Sequence, residues 1–296
     1  MTAAQRLREL LQGEDIVLAA GAPDALTARL VEEAGFPLCV VGGNALAMAR
    51  GYPDLALITM SEVLDAVRYI TSAVSIPVIS DADTGYGGVL NVWRTVRCFE
   101  EVGVAGIHIE DQVWPKRAGH MEGKNVIPVP EMIGKIRAAV AGRRDPSFVV
   151  IVRCDALTVH GLEETLARGE AYLNAGADVL FFETRDRMQE IEAIASRFAH
   201  RVPLLWNHSE SGKVPLLSAE ELKQLGFKIC AFYGHAQLAG CLAIRETLAE
   251  ILRTRNSRST WNRLLPLDDT WEIVGLSKLL GMQRRFAGVE DRQPPD

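Results

Sequence analysis

The chain has 296 residues, 48% of them hydrophobic and 24% charged, which is enough apolar material for one sizeable core. A formal net charge of −6 argues against a nucleic-acid partner, because phosphate binding needs a concentrated positive surface. Small acidic substrates remain compatible, since a bound metal and a few arginines outweigh a mildly negative whole.

The N-terminal sequence MTAAQRLRELLQGEDI has no uninterrupted apolar stretch, so no secretory signal is expected. No later stretch reaches the length of a membrane-spanning helix. Cys39, Cys98, Cys154, Cys230 and Cys241 are widely spaced, form no CxxC pair, and read as reduced, mostly buried thiols. A soluble, cytoplasmic protein without a membrane partner is expected.

Along the chain a short apolar run ending in polar or glycine residues alternates with an amphipathic stretch. The runs are IVLAAG (16–21), PLCVVGG (37–43), PVISDAD (77–83), GIHIED (106–111), FVVIVRCD (148–155), DVLFFETRD (178–186), VPLLWNHSE (202–210) and KICAFYGH (228–235). Continuous apolar residues fit strands buried on both faces of a parallel sheet. Between them, segments such as PEMIGKIRAAVAG (130–142) and GLEETLARGEAYLNAGA (161–177) read as helices. EEAGF, EEVGVAG, LNAGAD and KQLGF each set a glycine at a helix end before the next run. The pattern predicts an α/β fold, a (β/α)8 TIM barrel, as one domain over residues 1–296. From about residue 254 the character changes to a C-terminal helical arm, polar and basic in RTRNSRSTWNRLL and amphipathic in LPLDDTWEIVGLSKLLGMQRRFAG. Its apolar face needs cover from its own barrel or from a neighbour.

Charged and polar residues gather at the carboxyl ends of the runs: Asp81 and Asp83, Glu110 and Asp111, Arg153 and Asp155, Glu183, Asn207, Glu210, His235. Barrel active sites sit at that face. The sharpest local feature is Asp81-Ala82-Asp83-Thr84-Gly85-Tyr86-Gly87-Gly88, directly after a strand. Alternate carboxylates there can converge on one hard cation, with Glu110 completing an oxygen-rich site. The same aspartates can instead cap the following helix.

DADTGYG, HIEDQ (108–112) and Lys116-Arg117-Ala118-Gly119-His120…Lys124 together resemble the isocitrate lyase/phosphoenolpyruvate mutase superfamily. So do AGAPDALTARL, Gly42-Gly43 before Tyr52-Pro53-Asp54, Arg153, and NHSESGKVP (207–215), so the resemblance covers nearly the whole chain. It implies a barrel whose last helix is exchanged between subunits, usually in a homotetramer built as a dimer of dimers. It also implies a Mg²⁺ (or Mn²⁺) shell from Asp81, Asp83 and Glu110, helped by Asp54. Gly42 and Gly43 match backbone donors to a substrate carboxylate, although the serine many members place before them is Val41 here. Arg153 matches the arginine that pairs with a substrate carboxylate, and its planar fork suits that role. His108, Glu183, Asn207 and Glu210 match positions lining the pocket. Lys116 and His120 belong to the mobile catalytic loop.

Two departures bear on the chemistry. The lyase loop normally reads Lys-Arg-Cys-Gly-His, its cysteine protonating the nascent enolate; here Ala118 holds that place. After the last run, Tyr233-Gly234-His235-Ala236 is similar to the oxaloacetate decarboxylase branch, which makes His235 a candidate proton donor or carboxylate partner. That branch lacks the KR-x-GH loop retained here. His208 is a further candidate acid or base, and Trp114, Trp206, Leu157 and Phe232 are candidates to shape the pocket.

The resemblance thus implies a metal-dependent carbon–carbon lyase acting on a small 2-oxo or 2-hydroxy di- or tricarboxylate through a stabilised enolate. Oxaloacetate-type decarboxylation is preferred over methylisocitrate- or dimethylmalate-type retro-aldol cleavage, on His235 and the absent cysteine. The alternatives are a phosphonomutase of the phosphoenolpyruvate mutase or carboxyphosphonoenolpyruvate mutase type, and a non-catalytic carboxylate-binding barrel.

Overall fold

The computed structural model describes residues 1–119 and 121–287. Eight parallel strands close into a barrel in sequence order: β1 Val17–Gly21, β2 Leu38–Val41, β3 Val78–Asp81, β4 Gly106–Glu110, β5 Val149–Cys154, β6 Val179–Phe182, β7 Leu204–Asn207 and β8 Ile229–Phe232. Each lies inside one of the eight apolar runs. The expected (β/α)8 barrel is the observed fold. Closure comes from β1 pairing with β8, Val17 opposite Ile229 and Ala20 opposite Phe232.

Helices alternate with the strands, and their ends follow the local sequence. Thr59 caps Met60–Ala73 through a reciprocal bond with Glu62, and Ser218 caps Ala219–Leu225 in the same way with Glu221. The anticipated glycines do terminate helices: Gly176 and Gly226 take left-handed φ values of 110° and 91°, which a side chain would resist.

Two apolar clusters hold the barrel, and strand alternation sorts residues between them. In β5, Val150 and Val152 pack outward against the helices while Val149 and Ile151 point into the barrel. The interior cluster is completed by Leu7 and Leu11 of the helix Ala3–Gln12, both buried. That amphipathic helix plugs the bottom, so the interior opens only where the strands end. Full burial of each such Leu or Val contributes about 1.5–3 kcal/mol.

The chain divides into two compact units, with the boundary between Ala239 and Gly240. The break falls inside the helix His235–Thr254, ahead of the compositional change at 254. The second unit continues through a 3₁₀ turn at Arg258–Arg263 and helices Leu267–Ile273 and Leu276–Phe286. Within it Arg253 pairs with Glu250 and Arg263 with Glu246. No helix among the described residues is long and apolar enough to cross a membrane. All five cysteines are free thiols; Cys39 and Cys230 are buried, and burial pushes both up to about 12.

Candidate active site

The alternation that fills the interior also selects the site. Continuing the inward series past the apolar layer gives Gly21, Gly42, Asp81, His108 with Glu110, Arg153, Phe181 with Glu183, Asn207 and Tyr233. Barrel closure then brings these strand ends together around a cavity of about 250 Å³. Asp81, His108, Arg153, Glu183 and Asn207 line it, with Asp54 and Gly42–Gly43 on one side and Glu210 on the other.

An acidic cluster lies on the side of β3 and β4. Asp81, Asp83, Glu110 and Asp54 are all buried, between 1% and 7% exposed. Asp81 is fixed by backbone donors, Gly43 N at 3.0 Å and Asp83 N at 2.9 Å. The first N–H groups of a helix have no partner within it, so Gly43, at the start of Gly43–Ala49, is free to bond Asp81. Lys116 inserts its ammonium between Asp54 Oδ1 at 2.5 Å and Asp83 Oδ1 at 3.0 Å. Burial alone would lower the Lys116 pKa, but Asp83, Asp81, Glu110 and Asp54 hold it well above the usual lysine range. Burial pushes Asp83 up to about 6 and Glu110 well above the usual carboxylate range, against the pull of Lys116 and Arg153 respectively.

This donor set suits a hard divalent cation. Both Glu110 oxygens are buried without accepting a hydrogen bond, and the cluster already draws in one cation, the Lys116 ammonium. Among the described residues no three His, Cys, Asp or Glu side chains stand gathered as a ligand cage. Glu110 Oε2 lies 3.3 Å from Arg153 Nε. An ion that keeps several waters and takes one or two carboxylates directly fits such a site better than one needing a full protein cage.

Arg153 is clamped from behind. Its Nε and Nη2 donate to Asp155 at 2.8 and 3.0 Å, and Nη2 lies 3.2 Å from Glu183. Asp155 also accepts from Lys124 at 2.8 Å and is anchored by its backbone N–H to Asp111. Asp111 is held in turn by Arg168 and Tyr172 of the helix Leu162–Ala175. Burial would raise Asp155, but Arg153 and Lys124 hold it well below the usual carboxylate range.

The loop 112–128 closes over these groups. Lys124 also donates to Gly119 O at 2.5 Å, and a Cβ at Gly119 would lie 2.3 Å from Glu183 Cδ and 2.5 Å from Arg153 Nη2. Ala118 lines the cavity at 5% exposed, presenting a methyl group. His120 lies outside the described residues.

His235 and Glu210 pair with each other. Glu210 Oε1 accepts from Gly234 N at 2.6 Å and lies 2.6 Å from His235 Nδ1. Glu210 lines the cavity, whereas His235 meets His208 and Phe232 edge-on with its side chain 45% exposed and contributes nothing to the lining. The pocket-shaping residues expected from the sequence lie elsewhere. Trp206 and Leu157 are buried among the helices, Phe232 points the same way, and Trp114 is exposed. Trp206 and Phe232 occupy outward positions of their strands, so parity excludes them.

Three site features went unassigned in the sequence reading. Tyr233 lines the cavity with its hydroxyl 3.3 Å from His108 Nε2. Strand parity, counted two residues beyond Ala231, would have found it. Ser209 and Ser211 also line the cavity, their hydroxyls 2.9 Å apart. The clamp formed by Asp155 and Lys124 has no local sequence signal beyond the charge of each residue.

A family model described as phosphoenolpyruvate phosphomutase matches residues 7–252. The chain is 36% identical to the 2,3-dimethylmalate lyase of Eubacterium barkeri, over 97% of this chain and 99% of that protein. It is 39% identical to a 2-methylisocitrate lyase of Aeropyrum pernix, over 91% and 86% respectively. A phosphonopyruvate hydrolase solved with oxalate and Mg²⁺ superimposes with a TM-score of 0.89 at 33% identity, covering 97% of this chain and 100% of its own. Parallel barrel, acid-rich strand ends and full-length similarity lead to one conclusion: the chain belongs to the phosphoenolpyruvate phosphomutase family, in the isocitrate lyase/phosphoenolpyruvate mutase superfamily.

Proposed function

We propose that this protein is a divalent-metal-dependent carbon–carbon lyase that cleaves a small 2-hydroxy di- or tricarboxylate by a retro-aldol reaction, a substrate class that includes the acids named for its lyase relatives. One observation carries the choice. Both lysines of loop 112–128 are spent on barrel-end acids, Lys116 on Asp54 and Asp83, Lys124 on Asp155, so the loop is built to seal the cavity. His235, the residue favouring decarboxylation in the sequence, is tied to Glu210 and stands off the cavity wall.

In this reading Asp81, with Asp83 and Glu110 directly or through water, would hold Mg²⁺, and Asp54 would support them. A cation bound there supplies Lewis-acid stabilisation to the negative charge that develops as the bond breaks. Arg153, preset by Asp155, offers the rest of its fork to a substrate carboxylate, with Asn207, whose buried Oδ1 accepts no bond within the protein, beside it. His108, which burial holds below the usual histidine range, stays neutral and lines the floor. Gly119 excludes water by closing on Arg153 and Glu183. A cavity of about 250 Å³ suits a small acid.

Oxaloacetate-type decarboxylation is the second reading, favoured by Ala118, which puts a methyl where a thiol acid is expected. A panel of 2-oxo and 2-hydroxy acids followed by proton NMR, with phosphonopyruvate followed by phosphorus NMR, separates the classes. Cleavage of 2,3-dimethylmalate or methylisocitrate is expected, with faster turnover in Ala118→Cys. Turnover must vanish on metal depletion, and Asp81→Ala must not recover it at any Mg²⁺ concentration. Phosphorus–carbon chemistry, or oxalate binding without turnover of any acid, overturns the lyase reading.

A further inference from the structure

Cleavage of a carbon–carbon bond leaves a carbon that must take up a proton, and few of the described groups around the cavity can supply one. Asp81 accepts two backbone bonds, Asp54 is paired with Lys116, Glu183 with Arg153, and Glu210 with Gly234 N and His235. Each of these carboxylates faces a cation, an imidazole or a backbone N–H. The Arg153 guanidinium does not release a proton in proteins. The Ser209 and Ser211 hydroxyls are turned toward each other, and Ala118 carries only a methyl. Among the described residues lining the cavity, Tyr233 offers a phenol.

Its placement is built into two neighbouring strands. A Cβ at Gly21 would lie 1.7 Å from the Tyr233 carbonyl oxygen, and one at Gly42 would lie 3.0 Å from Tyr233 Cδ1. β1 therefore ends in Gly21 and β2 is followed by Gly42 where the tyrosine crosses them, and a larger residue at either position would displace it. His108 meets the ring edge-on at 5.8 Å between centroids, and its Nε2 lies 3.3 Å from the hydroxyl oxygen. Phe181 packs on His108 at 6.0 Å, so the hydroxyl sits at the end of an aromatic wall beside the cavity. Burial keeps this phenol above its ordinary range, so it carries its proton at neutral pH.

Resting on the lyase reading above, we propose that Tyr233 is the catalytic acid that delivers a proton to the carbon released by bond cleavage. In cleavage of a 2-hydroxy acid the hydroxyl proton passes to water and the bonding electrons stay on the α-carbon of the departing carboxylate. The O–H bond of Tyr233 breaks, a C–H bond forms at that carbon, and water returns a proton to the phenolate. Protons balance over the turnover.

The test is cleavage of 2,3-dimethylmalate in D₂O with Mg²⁺ by the wild type and Tyr233→Phe, which keeps the ring the two glycines admit. The wild type is expected to give propionate deuterated at its α-carbon in one configuration. Tyr233→Phe is expected to slow turnover by about 100-fold and to release propionate deuterated in both configurations, with oxalate affinity within about threefold of wild type as a sign that the cavity is intact. An unchanged rate, or a single configuration from the variant, overturns the assignment. If Tyr233→Phe loses oxalate binding, 3-fluorotyrosine at 233 keeps the shape and changes only the acidity; an unaltered cleavage rate then overturns it. A wild type that binds oxalate and cleaves no acid of the panel sinks the lyase reading itself, and this assignment with it.

Discussion

Lys124 Nζ lies 2.8 Å from Asp155 Oδ1, the same oxygen that accepts from Arg153 Nη2 at 3.0 Å. One buried carboxylate therefore anchors the lid and the substrate clamp together. Removing its charge should loosen both. Asp155→Asn is expected to cost about 3 kcal/mol of stability, since buried Lys124 loses its counter-ion and Arg153 one of its three. Urea denaturation measures this, and a loss below about 1 kcal/mol would contradict the anchoring role.

The same residue gives a pH dependence with a definite sign. Asp155 is held below its unfolded-state value, so its contribution is fully present above about pH 4 and disappears as pH falls through the depressed folded value. The melting-temperature gap between wild type and Asp155→Asn should be constant from neutral pH down to about 4 and should narrow below it. A gap that widens on acidification would refute the sign.

Asp83 behaves in the opposite sense. Burial pushes it up to about 6, with Asp81 and Asp54 adding to the effect. The folded protein then holds a proton that the unfolded chain has released, and metal-free stability should fall as pH rises through this window. A divalent cation must displace that proton, so its affinity should climb across about pH 6 with proton release. Calorimetry in buffers of different ionisation enthalpy reads both quantities. Proton-neutral binding at pH 5.5 would count against Asp83 as part of the shell.

Gly119→Ala tests loop closure. The added methyl would collide with Glu183 and Arg153, so the loop cannot seat as it does here. We expect kcat to fall by about tenfold or more, with a lower melting temperature as Lys116 and Lys124 are drawn off their buried acids. Unchanged kcat would show that the closed loop is dispensable.

Lys116→Met removes the ammonium between Asp54 and Asp83. Two buried carboxylates then face each other uncompensated, which should destabilise the metal-free protein by about 3 kcal/mol. Added Mg²⁺ should restore much of that loss, because the cation replaces the lysine charge. Failure of Mg²⁺ to raise the melting temperature would argue against a cation site among these acids.

Much of the site was legible because a barrel strand has a two-residue period. Asp81, Arg153 and Asn207 could be read as barrel-end residues from the apolar runs that precede them. Lys116 and Lys124 could be read only as members of a charged loop. Their partners Asp54 and Asp155 lie 62 and 31 residues away, and no local pattern states which acid each will meet. The placement of His235 was hidden for a related reason. Its turn matched a motif, yet parity sets residue 233 inward on β8 and carries residue 235 into the helix that follows.

The sequence by itself determined the eight strands, their inward faces and the polar layer where they end, because burial on both sides of a parallel sheet imposes a pattern each segment carries alone. The tertiary structure decided which of those ends become neighbours. Closing β1 against β8 sets Tyr233 between Gly21 and Gly42, residues far away in the chain, and folding the loop inward gives its lysines to Asp54, Asp83 and Asp155. Such pairings arise because buried charge is tolerated only where an opposite charge is brought to it, and chain closure alone supplies the partner.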